Sequence, residues 1–227
     1  MYLFLKKTLD ILIALLVLMV ASPLLIPLVI LLKLTGEGYV FYLQDRVGYK
    51  NNLFPIFKFA TMLKDSPNIG TGDITVKNDP RVTPMGPFLR KSKLNELPQI
   101  INVLIGDMSI VGPRPLMPVS FKMYSKEHAQ RVYNSRPGIT GVGSLIFRDE
   151  EAMVTRAMSE GKDSRAFYEN EIYPYKGELE MWYQDNKSFF IDVMIIFLTA
   201  WSIFFPKTNL PFRIFNGLPE KPENLRT

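Results

Sequence analysis

Residues 11–32 form an uncharged apolar run of 22 residues, bracketed by Lys6 and Lys7 before it and Lys33 after it. As one helix it would be about 33 Å long, enough to cross the hydrocarbon core of a bilayer. Pro23 and Pro27 lie inside the run, and each removes a backbone donor and crowds the preceding turn. Ser22, directly before Pro23, can return a hydrogen bond to the freed backbone. A break there would let the segment turn back and leave both basic flanks on the cytoplasmic side, as the positive-inside tendency prefers. A kinked spanning helix satisfies the same residues, so composition leaves both open. The run is too long for a cleaved signal, and no small-x-small site follows it before Lys33.

The remainder reads as water-facing. A chain of 227 residues with 47% hydrophobic content supports one good core and little more. Cysteine is absent, which excludes disulfides and thiolate metal sites and fits a reducing compartment. The 27 basic and 22 acidic residues leave a net charge of +5, favouring anionic partners: a membrane surface, a nucleotide or a nucleic acid.

Residues 39–43 are rich in β-formers, 46–48 read as a turn, and 53–62 form an apolar-aromatic segment carrying Lys58. Residues 66–72 have loop composition. Residues 85–104 read as largely helical, with Leu94, Leu97, Ile101 and Leu104 on one face and Pro98 at a kink or helix start. A polar helix is expected over 122–133, a rigid turn over 136–141, and helix over 150–168. A mixed helix over 169–182 should be interrupted at Pro174. Residues 189–205 are apolar again but contain Asp192. A carboxylate in mid-bilayer is costly, so 179–205 reads as a helix docked on the core, on the membrane surface, or on both.

Chemistry concentrates in residues 94–115, LNELPQIINVLIGDMSIVGPRP. A lone carboxylate, Glu96, precedes a Gly-Asp-Met-Ser turn and a Gly-Pro-Arg-Pro clamp. Lys77, Arg81, Arg90, Lys91 and Lys93 lie just upstream. A carboxylate among cations suits phosphate-ester chemistry, because the cations neutralise phosphoryl oxygens while the acid attacks or holds a metal. Asp107 and Ser109 are expected to cap local backbone, and the single histidine, His128, to be solvated. With no second histidine and no cysteine, a zinc site and a Cys-His nucleophile are excluded. No P-loop or GxGxxG fingerprint is present.

The Ser22-Pro23 run, FYLQDRVG, FKFATM, the 94–115 stretch and RPGITG follow one another in order. Together, over nearly the whole chain, they resemble the bacterial sugar transferase family, the monotopic polyprenyl-phosphate phosphoglycosyl transferases. The resemblance implies a membrane enzyme that moves a sugar 1-phosphate from a nucleotide sugar, most often a UDP-sugar, onto polyprenyl phosphate. A nucleoside monophosphate is released and Mg²⁺ is required. It implies a helix-rich α/β fold, compact and membrane-associated, with a re-entrant membrane helix over 1–34 broken at Ser22 and Pro23. A catalytic domain over 35–206 with amphipathic interfacial helices would face the cytoplasm at the bacterial inner membrane, followed by a tail over 207–227. A homo-oligomer is left open.

On this reading Glu96 is the catalytic acid and a metal ligand. Arg90 and Arg114 hold phosphate, and Lys58 is a further cation for the donor. The resemblance adds Arg136 and Arg148, near the RPGITG turn, as cations for the donor diphosphate or base. It adds Glu180, before Trp182-Tyr183, as a second metal-side acid or a plain surface residue.

One departure matters. The family usually has Asp, taken to be the nucleophile, where this chain has Asn95. A carboxamide is a poor nucleophile. Glu96 could then attack, or polyprenyl phosphate could attack directly while Glu96 holds the metal. An inactive scaffold or regulator is the third account. A nucleic-acid binder is disfavoured, because stacking aromatics do not interleave the cations.

Overall fold

The computed structural model describes residues 1–66, 79–206 and 208–225, without the side chain of Glu151. The expected loop over 66–72 lies, beyond Ser66, outside the described residues, as does Lys77. The first helix, α1 (Tyr2–Leu34), is followed by β1 (Phe41–Val47) and β2 (Leu53–Phe59), which form a two-stranded sheet. Then come α2 (Gly86–Lys91), α3 (Gln99–Ile105), β3 (Ser109–Val111), α4 (Pro118–Phe121), α5 (Lys126–Arg131) and β4 (Gly138–Thr140). The chain continues through α6 (Val142–Ile146), α7 (Glu150–Ser159), α8 (Ser164–Phe167), α9 (Tyr173–Asn186), α10 (Phe189–Phe204) and α11 (Leu210–Ile214). This is the helix-rich α/β class expected.

Among the described residues, α1 is the one helix long and apolar enough to cross a membrane. It runs as a single helix through both prolines, so the expected hairpin is not seen as two separate helices. Pro23 cannot serve the Met19 carbonyl one turn back, and the Ser22 hydroxyl donates to that same oxygen at 2.9 Å.

Two compact units divide the chain. One comprises residues 11–45 and 55–106. Its core joins Leu28 and Leu32 of α1 to Phe59 of β2 and Leu89 of α2. Asn102, fully buried in α3, accepts the Phe57 N–H and donates to the Pro55 carbonyl, at 3.0 and 2.8 Å. It thereby satisfies backbone groups of β2 that a further strand would otherwise pair.

Residues 85–104 are largely helical, as expected, but in separate pieces. Lys93 adopts left-handed backbone, φ 60°, and separates α2 from the 3-10 turn Leu94–Glu96. A non-glycine residue in that region ends a helix and stores strain. Pro98 sits at the start of α3, where its missing N–H costs nothing.

The other unit comprises residues 1–10, 46–54 and 107–227. Here β3 and β4 pair in parallel, Ser109 opposite Gly138 and Val111 opposite Thr140. Val47, Val132 and Tyr133 form a core with Phe121, Tyr124 and Met181 packed on it. The 179–205 expectation divides into α9 and α10, because Lys187 leaves the helix and Ser188 caps α10 through Ile191 N–H at 3.3 Å. Pro174 lies in the first turn of α9 rather than interrupting it.

Asp192, Ile195, Leu198 and Ser202 of α10 are buried, while Phe190, Phe197, Ile203 and Phe204 are exposed. That inverts the usual rule for a water-facing helix. Residues 208–225 pack back on the same unit. Phe215 lies against Trp182, ring centroids 5.2 Å apart, and Trp182 Nε1 donates to the Asn216 carbonyl at 3.0 Å.

Candidate active site

Arg90, Asn95 and Glu96 occupy consecutive turns. The Lys93 N–H bonds the Arg90 carbonyl at 3.2 Å, and the Glu96 N–H bonds the Lys93 carbonyl at 3.1 Å. The left-handed Lys93 makes this tight reversal, so a cation and a carboxylate six residues apart share one bend.

Arg90 is half-buried, and its Nε donates to Thr61 Oγ1 at 3.2 Å. Burial pulls its guanidinium below the usual arginine value, with Asp79 opposing. Thr61 belongs to FKFATM and is held in turn by the Thr83 N–H on its carbonyl, at 3.0 Å. Lys58, from the same motif, is half-buried on β2. Sequence reasoning quoted the motif without seeing that its threonine orients Arg90.

Asn95 and Glu96 are both half-buried, and the Asn95 Oδ1 atom is buried without a hydrogen-bond partner. An amide oxygen left unmatched beside a carboxylate is suited to an oxygen-seeking cation. No group of three His, Cys, Asp or Glu converges among the described residues. Mg²⁺, which keeps several waters and substrate phosphates in its shell, does not need one.

The upstream cationic segment is smaller than expected. Arg81 is 2% exposed and committed to Asp79, with Nη2–Oδ2 2.7 Å and Nε–Oδ1 2.9 Å, and to the Ser66 carbonyl at 2.8 Å. It ties Asp79 to Ser66 and is not offered to a ligand.

The second group of predicted residues lies in the other unit. The GPRP clamp leaves β3 directly and RPGITG contains β4, so the parallel pair brings these two motifs together. Gly112 N–H bonds the Thr140 carbonyl, and Gly138 N–H bonds the Pro113 carbonyl, both at 2.9 Å. Any Cβ on Gly138 would collide with the Gly112 backbone, which is why this lacing needs glycine. Arg114 is exposed between buried Pro113 and Pro115. Arg136 is exposed too, its guanidinium 5.9 Å from the Tyr49 ring centroid.

Arg148 donates to Ser202 Oγ at 2.5 Å and lines a groove of about 600 Å³ with Arg156, Thr155 and Ser159. A larger cavity, about 700 Å³, is apolar and lined by Trp201, Phe204, Phe205, Leu210 and Arg213, and contains none of the motif residues.

Glu180 is not a surface residue: it is 3% exposed on α9. Burial pushes its carboxyl up to about 7, opposed by nearby Lys176 and by hydrogen bonds from the Arg114 and Gly143 backbone amides. Lys176 is itself paired with Glu150 at 2.8 Å. His128 is half-buried beside Tyr124 and Gly177 rather than solvated. At the GDMS turn the carboxylate that binds backbone is distant Asp10, whose Oδ1 accepts the Ile110 N–H at 2.9 Å.

The model of the bacterial sugar transferase family matches residues 1–206. The chain belongs to that family. It is 34% identical over 212 residues to an undecaprenyl-phosphate galactose phosphotransferase of Salmonella typhimurium, covering 87% of this chain and 40% of the relative. It is 34% identical over 204 residues to a UDP-N-acetylgalactosamine-undecaprenyl-phosphate N-acetylgalactosaminephosphotransferase of Aeromonas hydrophila, covering 89% and 44%. With the exopolysaccharide production protein ExoY of Rhizobium meliloti it shares 31% over 208 residues, covering 86% and 83%. The chain thus spans less than half the length of the first two family members and most of the third.

Proposed function

We propose that this sugar transferase family member moves a sugar 1-phosphate from a nucleotide sugar, a UDP-sugar foremost, to polyprenyl phosphate, an early membrane step of polysaccharide or glycoconjugate synthesis. The observation that carries the reading is the Arg90–Glu96 bend: a half-buried guanidinium and a carboxylate held on adjacent turns of a family member. Nothing in the comparisons supports an inactive scaffold.

Glu96 is the reacting carboxylate. One of its oxygens bonds to the sugar-bearing phosphorus as the bond from that phosphorus to the nucleoside monophosphate breaks. A phosphate oxygen of polyprenyl phosphate then attacks the same phosphorus, and Glu96 leaves as carboxylate. Lys58 and Arg90 in one unit, and Arg114, Arg136 and Arg148 in the other, are the cations suited to the phosphates and the remainder of the donor. Glu96 and Asn95 Oδ1 are the oxygens that would hold Mg²⁺, which when bound neutralises phosphoryl charge.

The reading also places the protein on the cytoplasmic face of the inner membrane, with α1 re-entrant. Support comes from Lys6, whose Nζ contacts Asp192 and the Val111 carbonyl, both at 2.8 Å. Among the described residues α1 is the one helix long and apolar enough to cross a membrane. The reading takes the start of α1 to lie on the same side as the body it binds, with Ser22 and Pro23 as the place where the segment would turn.

Intact-protein mass after incubation with donor alone tests the chemistry. A phosphosugar adduct in the wild type and in Asn95→Ala, absent in Glu96→Gln, is the expected result. No adduct in any form, with nucleoside monophosphate still released when polyprenyl phosphate is added, would favour direct attack.

A further inference from the structure

Arg114 is exposed, yet the backbone that carries it is gripped from inside the protein on every side. Its carbonyl accepts the Tyr133 hydroxyl at 2.7 Å, and the same hydroxyl accepts the Leu116 N–H at 2.9 Å. Arg46 Nη1 reaches the Pro115 carbonyl at 3.5 Å, and the Val47 N–H bonds the Leu116 carbonyl at 2.8 Å. The remaining Arg114 group, its backbone N–H, lies near the Glu180 carboxylate, and with the Gly143 N–H it favours the charged form of that carboxyl.

That carboxylate approaches the backbone so closely that a Cβ on Gly143 would lie 2.5 Å from Oε1. Oε2 is buried without a hydrogen-bond partner. Tyr133 and Glu180 are 1% and 3% exposed, so neither meets solvent or a large substrate. A charge-capable side chain enclosed in this way, pressed against Gly143 and facing two loop amides, is arranged to fix a backbone.

We propose that Glu180 and Tyr133 are positioning residues: they set the Gly-Pro-Arg-Pro clamp so that the Arg114 guanidinium meets the diphosphate of the nucleotide-sugar donor. This deepens, and rests on, the reading of Arg114 as a donor-phosphate ligand. Glu180 then acts through Arg114 instead of as a second acid at the metal. Proline on both sides of Arg114 limits the backbone at its neighbours, so the clamp moves as a piece, and losing one internal bond displaces the guanidinium. A misplacement of about 1 Å at a charged ligand site can cost tenfold to a hundredfold.

Steady-state kinetics of the full chain in nanodiscs test this, with saturating polyprenyl phosphate and whichever of UDP-galactose, UDP-glucose and UDP-N-acetylgalactosamine it turns over best. Glu180→Ala and Tyr133→Phe should each raise donor KM about tenfold, lower kcat less, and leave the polyprenyl-phosphate KM unchanged. Glu180→Gln, which keeps an acceptor oxygen, should restore donor KM to within about threefold. In an Arg114→Ala background, adding Glu180→Ala or Tyr133→Phe should cause no further rise. Unchanged donor KM in both single variants, or a full additional factor on top of Arg114→Ala, would overturn the positioning role. Arg114→Ala with unaltered kinetics would instead overturn the reading of Arg114 itself. Tyr133→Phe, which keeps the ring packing, decides the matter should Glu180→Ala fail to fold.

Discussion

Lys6 Nζ and Asp192 Oδ2 lie 2.8 Å apart across 186 residues of sequence, in a setting that leaves Asp192 1% exposed. The Tyr2 and Tyr183 hydroxyls complete the shell, donating to Asp192 at 3.0 and 2.8 Å. The pair ties the first turns of α1 to α10. Removing one partner of a buried pair strands a charge and costs about 3–5 kcal/mol. Lys6→Met should therefore lower stability by that amount. Lys6→Met with Asp192→Leu should be more stable than Lys6→Met alone, because no charge is left behind. Thermal unfolding in a fixed detergent checks both.

Because the chain has no cysteine, single-cysteine labelling reads its topology cleanly. Leu3→Cys, at a side chain 75% exposed, should react with an impermeant maleimide only in inverted vesicles, as should a cysteine at Glu220. Replacing Pro23 and Pro27 by alanine restores two helical donors and removes two ring clashes, each worth about 3 kcal/mol in a helix interior. A fraction of that variant should become labelled at residue 3 from the periplasmic side.

Glu180 makes stability depend on pH. Its carboxyl titrates near 7 when folded against an ordinary 4.5, so the folded chain holds the extra proton across that interval. Its stabilising share is complete below about pH 4.5 and disappears as pH rises through 7. The loss should be about 3 kcal/mol. Glu180→Gln cannot titrate and should flatten the slope. Denaturant unfolding from pH 5 to 8 compares the two; parallel curves would contradict the burial argument.

At the Arg90–Glu96 bend, Glu96→Gln should reduce nucleoside monophosphate release at least about a thousandfold. Arg90→Lys should recover little, because lysine supplies a point charge without the planar fork. Thr61→Ala, which removes only the hydroxyl orienting Arg90, should cost about tenfold, mainly in donor KM.

How much was legible beforehand differs by feature. The family was readable because its motifs are contiguous: FKFATM, the 94–115 stretch and RPGITG each keep their order. Element positions were readable where the chain is uniformly apolar, as in α1, or regularly spaced, as in α3. The break at Lys93 was not, because nothing in a lysine announces left-handed backbone. Arg81 looked like one cation among five until Asp79 was found on it, and Glu180 read equally as a metal-side acid or a surface residue until α9 turned it inward.

The amino-acid order alone determined that an uncharged 22-residue run needs an apolar environment and that thiol chemistry is absent. Only the tertiary structure decided which charges are spent and which are offered. Asp192 binds Lys6, Arg81 binds Asp79, and Glu180 is buried near the backbone of Arg114, a residue that is itself exposed. The reason is physical: local patterning sets which face of an element is apolar. The partner that neutralises a buried charge is found only when distant segments meet, and no period in the sequence encodes that meeting.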